Sequence, residues 1–175
     1  MSRAIRFAPL ALFLLIVVAL VWRLVTPDDT NVPSKLDRKP VPIFELPAGL
    51  PTKAGLSTSD LATGTPHIVN FFASWCIPCI GEVTVLQELK ARGIAIDGIA
   101  VRDRPEDIAA FLARNGDPYE RIGSDRQSRV QIALGSSGVP ESFIVDGRGI
   151  IRYQHIGPID ASDIPMILTK LVQSK

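Results

Sequence analysis

The chain has only two cysteines and two histidines among its 175 residues, and that scarcity excludes several chemistries. Two thiols are too few for a disulfide-rich scaffold. His67 and His155 lie far from each other and from Cys76 and Cys79, with no ligand spacing among the four, so no zinc or copper site is expected. Ile80 follows Cys79 where covalent haem attachment at a Cys-x-x-Cys-His site requires histidine, so the chain is not itself a c-type cytochrome. An excess of one charge is also missing, with 19 Lys and Arg against 18 Asp and Glu. No basic face is visible, so a nucleic-acid partner is not expected. Internal repeats and low-complexity tracts are absent. Acids are absent before Asp28, while Arg3, Arg6 and Arg23 flank an apolar run there.

That run, Phe7 to Trp22, has sixteen residues without a charge, and Leu24-Val25 extend it if Arg23 snorkels. About 20 residues span a hydrocarbon core, so residues 1–25 read as a short membrane anchor. A cleaved secretory signal is the alternative. Its apolar stretch is usually ~7–15 residues, and Val21-Trp22-Arg23-Leu24 is a poor cleavage site. Either reading exports the remainder of the chain. Arg3 and Arg6 before the run, against Asp28 and Asp29 after it, place the N-terminus in the cytoplasm and the rest outside, where disulfides persist. Residues 26–40 carry Pro27, Pro33 and Pro40 among polar residues and read as a semi-rigid tether. Residues 41–175 are then the right length for one domain.

Inside that domain the pattern alternates. Ile43-Phe44-Glu45-Leu46 suggests a first strand, and Ile68 to Ala73 is apolar without alternation, as a buried central strand should be. A helix is expected from Ile77 to about Arg92, with Val83, Leu86 and Leu89 on one face and Gly93 as its stop. Ile94 to Val101 reads as a strand, and Pro105 to Asn115-Gly116 as a helix buried through Ile108, Phe111 and Leu112. Ser124 to Leu134 suggests a short helix. Ser142–Val145 and Ile150–Tyr153, joined by Asp146-Gly147-Arg148-Gly149, predict a β-hairpin, and Asp160 to Val172 a closing amphipathic helix. The order predicts an α/β domain, a mixed central sheet flanked by helices.

The chemistry gathers at Trp75-Cys76-Ile77-Pro78-Cys79, where the central strand gives way to a helix. Two cysteines at this spacing can close a small reversible disulfide. At a helix start, free N–H groups and the dipole favour a thiolate on the first sulfur. So short a loop constrains little of the unfolded chain, so thiol–disulfide exchange is a better use for it than stapling. Cys76 is the candidate nucleophile and Cys79 the resolving thiol. Ile77-Pro78 supplies no positive charge to stabilise the thiolate, which favours a reductant over an oxidant.

The segment Ile68 to Cys79 resembles the active-site strand and loop of the thioredoxin superfamily, and Gly138-Val139-Pro140 resembles its cis-proline loop. The longer run Gly138 to Tyr153 is similar to a narrower group, the membrane-anchored cytochrome c biogenesis thiol:disulfide interchange proteins of the CcmG/DsbE type. Arg104-Pro105-Glu106-Asp107 and Gly116-Asp117-Pro118-Tyr119 also resemble segments of that group. The resemblance implies a thioredoxin fold with a cis Pro140, which would turn the Val139 backbone toward substrate beside Cys76, and Trp75 shaping the docking surface. It implies a catalyst facing the periplasm that reduces the Cys-x-x-Cys-His disulfide of apocytochrome c, directly or through a partner thiol protein. A membrane electron donor would recharge Cys76, and no organic cofactor is implied. An anchored reductant with other clients, an exported oxidase, or a non-catalytic binding module are the alternatives.

One departure stands out. Thioredoxins proper carry a buried Asp six residues before the first cysteine, and this chain has Asn70 there, which cannot take a proton. Glu82, three residues after Cys79, is the candidate proton acceptor for that thiol, with a solvated helix carboxylate as the alternative. Glu141 could set substrate preference through its charge, unless it is merely a surface residue.

Overall fold

A computed structural model describes residues 3–25 and 38–174, with side chains in the first segment described from 9 to 23. The chain divides into two compact units, Met1–Val32 and Pro33–Lys175. In the first, helix α1 spans Arg3–Val25 and contains Pro9. Among the described residues no helix is long and apolar enough to cross a membrane. The tether expected at 26–40 lies outside the described residues except for its last three.

The second unit is built on a five-stranded sheet. A small hairpin comes first, β1 (Glu45–Leu46) against β2 (Leu56–Ser57), then a 3-10 turn at Thr58–Leu61. The sheet comprises β3 (His67–Phe72), β4 (Ala95–Val101), β5 (Ile122–Asp125), β6 (Glu141–Val145) and β7 (Ile151–Ile156), in the order β5-β4-β3-β6-β7. β3 runs parallel to β4 and antiparallel to β6, so the sheet is mixed. Every residue of β3 is buried, which is why its sequence does not alternate. The helices are α2 (Ile77–Ala91), α3 (Pro105–Asn115), α4 (Arg129–Ala133) and α5 (Ile164–Gln173). Proline lies in the first turn of α2, α3 and α5, where its missing N–H costs nothing. Gly93 ends α2 with φ +82°, a conformation that favours glycine.

The two faces of the sheet are covered differently. Ile68 and Phe72 of β3 pack with Val83, Leu86 and Leu89 of α2, Phe111 of α3 and Ile167 of α5. Val69 and Phe71 pack instead with Leu46, Leu56, Leu61, Val130 and Leu134. Helices lie on both faces as the sequence predicts, but on the second the five-residue α4 shares the cover with the β1–β2 hairpin and the 3-10 turn. The helix expected over 124–134 is corrected. Its first residues belong to the edge strand β5, and only Arg129–Ala133 is helical. Four residues are too few to show a period, and Gly123 lies under the hairpin, where a Cβ would come within 2.8 Å of Leu46 Cδ1. The fold also begins earlier than Val41. The Arg38 N–H donates to Ile151 O at 2.8 Å and the Val41 N–H to Gly149 O at 2.9 Å, so a strap runs beside β7.

Candidate active site

Cys76 is the N-cap of α2. Its sulfur accepts from the Cys79 N–H at 3.2 Å, which occupies one of the helix's four free donors. The two sulfurs are joined in a disulfide, with Cα atoms 5.3 Å apart. Both are largely covered, Cys76 at 4% exposure and Cys79 at 1%. An apolar rim surrounds them: Trp75, Ile77 and Ile80 are exposed. The loop into the helix is clamped from β4's C-terminal end. Asp103, itself buried, accepts from the Ser74 N–H at 2.6 Å and from Ser74 Oγ at 2.7 Å. Nothing in the sequence singled out Asp103.

The Val139–Pro140 peptide bond is cis. A groove of about 250 Å³ runs between Trp75 and Val139, with Arg102 and Gln131 on its walls. Gln131 Nε2 donates to Gly138 O at 3.1 Å and so braces the loop before the proline. Glu141 is not a surface residue: it is fully buried. Its Oε2 accepts from the Ser137 N–H and Ser136 Oγ, both at 2.8 Å, and Gln154 Nε2 donates to its Oε1. The carboxylate therefore faces inward and holds the cis-proline loop, rather than presenting its charge to a docked chain.

One turn along α2 from Cys79 lies another buried carboxylate. Glu82 follows Cys79 on α2 and is 1% exposed, so the solvated alternative does not apply. Its Oε1 accepts from Asn70 Nδ2 at 2.8 Å and its Oε2 from the Ile159 N–H at 3.1 Å. Burial pushes its pKa up to about 7, against the pull of the Ile159 and Asn70 hydrogen bonds. Asn70 in turn accepts from Tyr119 Oη at 2.7 Å and donates to Ser142 Oγ at 3.0 Å. Burial and the Glu82 charge hold the Tyr119 phenol well above its usual range, so it stays a neutral donor. Tyr119 and Ser142 were not singled out individually. Gly98, paired with Asn70 across the sheet, is the residue that makes room for the tyrosine: a Cβ there would lie 3.0 Å from its ring. The ring stacks on Phe72 at 4.5 Å.

Among the described residues no three His, Cys, Asp or Glu side chains gather as a metal site. What the site offers is a reversible disulfide at a helix start, an apolar rim, a neighbouring groove, and a buried carboxyl poised near neutrality. Fold and site together define a thiol–disulfide exchange protein of the thioredoxin fold.

Comparison with known proteins narrows this class. The Redoxin family model matches residues 37–171. The thiol:disulfide interchange protein DsbE of Escherichia coli K12 is 36% identical over 165 residues, covering 91% of this chain and 89% of that protein. HelX of Rhodobacter capsulatus, also a thiol:disulfide interchange protein, is 37% identical over 160 residues, covering 91% and 90%. A crystal structure of a thiol:disulfide interchange protein of the thioredoxin family from Chlorobium tepidum superposes with a TM-score of 0.58 at 26% identity, over 76% of this chain and 95% of that one. A DsbF homologue from Corynebacterium diphtheriae shares the fold, with a TM-score of 0.65 at 22% identity over 83% and 98%. The chain belongs to the Redoxin family, among thiol:disulfide interchange proteins of the DsbE and HelX type.

Proposed function

We propose that this is a membrane-anchored, periplasm-facing reductant that opens the Cys-x-x-Cys-His disulfide of apocytochrome c, or of a thiol protein that serves it, during cytochrome c maturation. Haem attaches only to free thiols, so an oxidising compartment needs such a reductant. The observation that carries the reading is the Cys76–Cys79 disulfide set in an apolar rim beside the cis Val139–Pro140 loop, in a chain similar to the DsbE proteins over nine-tenths of its length.

The cycle balances in thiols. The Cys76 thiolate attacks one sulfur of the client disulfide, that S–S bond breaks, and a mixed disulfide forms while the client's other sulfur leaves as a thiolate. Cys79 gives its proton to Glu82, and its thiolate attacks Cys76 Sγ. The client leaves as a dithiol, its two thiolates taking one proton back from Glu82 and one from solvent, and the chain is left with the Cys76–Cys79 disulfide. A membrane electron donor then returns two electrons and two protons to the pair. Trp75 and Val139 flank the groove where an extended client segment would lie, and Pro140 fixes the turn of that wall.

The reduction potential of the Cys76–Cys79 couple tests the direction. A value near or below about −200 mV supports a reductant, and reduction of an oxidised apocytochrome peptide should follow; a value near about −120 mV would make the protein an oxidant and overturn the reading.

A further inference from the structure

Two adjoining clefts open at the end of the sheet away from the disulfide, with volumes of about 230 and 290 Å³, and they share Arg152, Gln173 and Ser174. Their location follows from the strand register. Val145 pairs with His67 at the start of β3 and with Ile151 at the start of β7, whereas Glu141, near the reactive loop, pairs with Phe71 and Ile156. Among the described residues, four cations line the clefts, Arg38, Arg148, Arg152 and Lys170, against one acid, Asp146.

That acid is already committed. Asp146 accepts from Arg152 Nη2 at 2.6 Å and Nε at 2.9 Å, lies 3.5 Å from Arg148 Nη2, and takes backbone N–H bonds from Arg148 and Ile150. Four positive groups minus one negative leaves an excess of three. Among the described residues neither Arg38 nor Lys170 meets a carboxylate; Lys170 sits over the Tyr153 ring at 5.5 Å. Arg38 is also where the N-terminal segment enters the fold. Twelve residues, 26–37, separate it in sequence from the end of α1.

We propose that this basic foot binds the phosphate groups of anionic phospholipids, holding the domain with its base to the bilayer and Cys76 at the far end, open to client proteins. The proposal rests on the anchored reading above. It supplies what an anchor alone cannot, a preferred orientation, because a positively charged surface held near an anionic leaflet is attracted within a Debye length.

The test is hydrogen exchange on the full chain in phosphatidylcholine nanodiscs with and without phosphatidylglycerol. Anionic lipid should slow exchange of the amides at 38–41, 148–152 and 170–174, and high salt should reverse this. The double substitution Arg38→Gln with Lys170→Gln should weaken docking roughly 30-fold, at about fivefold for each cation near an anionic surface. Neither side chain belongs to either core cluster, and an unchanged exchange pattern in β3 would confirm that the variant is folded. Equal slowing in neutral and anionic nanodiscs, or equal slowing by inorganic phosphate without a bilayer, overturns the lipid assignment. Chain that floats with alkali-washed vesicles yet shows no protection refutes the foot and spares the anchor, whereas chain that does not float refutes the anchored reading, and the foot with it.

Discussion

Substituting Glu82 by glutamine should change how stability depends on pH. The carboxyl's pKa rises on folding from an ordinary 4.5 to about 7, chiefly through burial. The folded state therefore holds this proton more tightly than the unfolded one. Stability associated with it is fully present below pH 4.5 and is lost as pH rises toward 7. Two and a half pKa units at 1.36 kcal/mol each give a cost of about 3 kcal/mol once Glu82 is ionised, of which about 2.5 kcal/mol develops between pH 5 and pH 8. Glutamine does not titrate, so Glu82→Gln should lack this component. Its amide N–H would face either Asn70 Nδ2 or the Ile159 N–H, both donors, at a cost of about 1–3 kcal/mol. The protonated acid meets the same conflict, so the two proteins should be close in stability at pH 5 and diverge in favour of the variant by about 2–3 kcal/mol at pH 8. Urea denaturation of the oxidised proteins at half-unit pH steps measures this. Parallel curves for wild type and variant would refute the raised pKa. The catalytic consequence is separable: with no acceptor beneath it, Cys79 should resolve a trapped mixed disulfide more slowly in the variant, and unchanged resolution would remove Glu82 from the mechanism while leaving the pH argument in place.

The other predictions concern neighbouring groups. Cys79→Ser should accumulate a mixed disulfide between Cys76 and an oxidised client peptide, detectable by mass under non-reducing conditions; rapid release of the peptide would mean that Cys79 does not resolve it. Gly98→Ala should destabilise by about 1–3 kcal/mol, since its methyl would press on Phe72 Cε1 at 2.9 Å and on the Tyr119 ring, and a loss below about 0.5 kcal/mol would mean that the stack yields easily. Asp103→Ala leaves the Ser74 N–H and hydroxyl without their acceptor, and should cost about 2 kcal/mol and speed exchange of the Ser74 amide, with no shift in the pH dependence assigned to Glu82.

Much of this site was legible in the sequence because its signals are local. A helix start with its two cysteines and a proline in the first turn is set by adjacent residues, and so is the Asp146–Gly149 turn between two β-branched runs. The apolar, non-alternating 68–73 segment announced a strand buried on both sides because burial is what that composition serves. Glu82 was singled out by its spacing from Cys79, again a local relation. The edge strand β5 was not legible: four residues show no period, and its pairing with β4 is made across twenty residues of helix and loop.

What tertiary structure decided was the state of the polar groups. No spacing rule says that Glu141 turns inward to hold the loop before Pro140, since its partners Ser136, Ser137 and Gln154 come from two sides of the proline. Nor does the sequence alone say that Glu82 is buried with its carboxyl held by the N–H of Ile159, seventy-seven residues away. Tyr119 reaches Asn70 only because Gly98, on a third segment, has no side chain. The cysteine pair, the helix start and the strand before it were determined by residues next to one another. The proton affinity beneath them was determined by desolvation and by hydrogen bonds from distant segments, which exist only once the chain has folded.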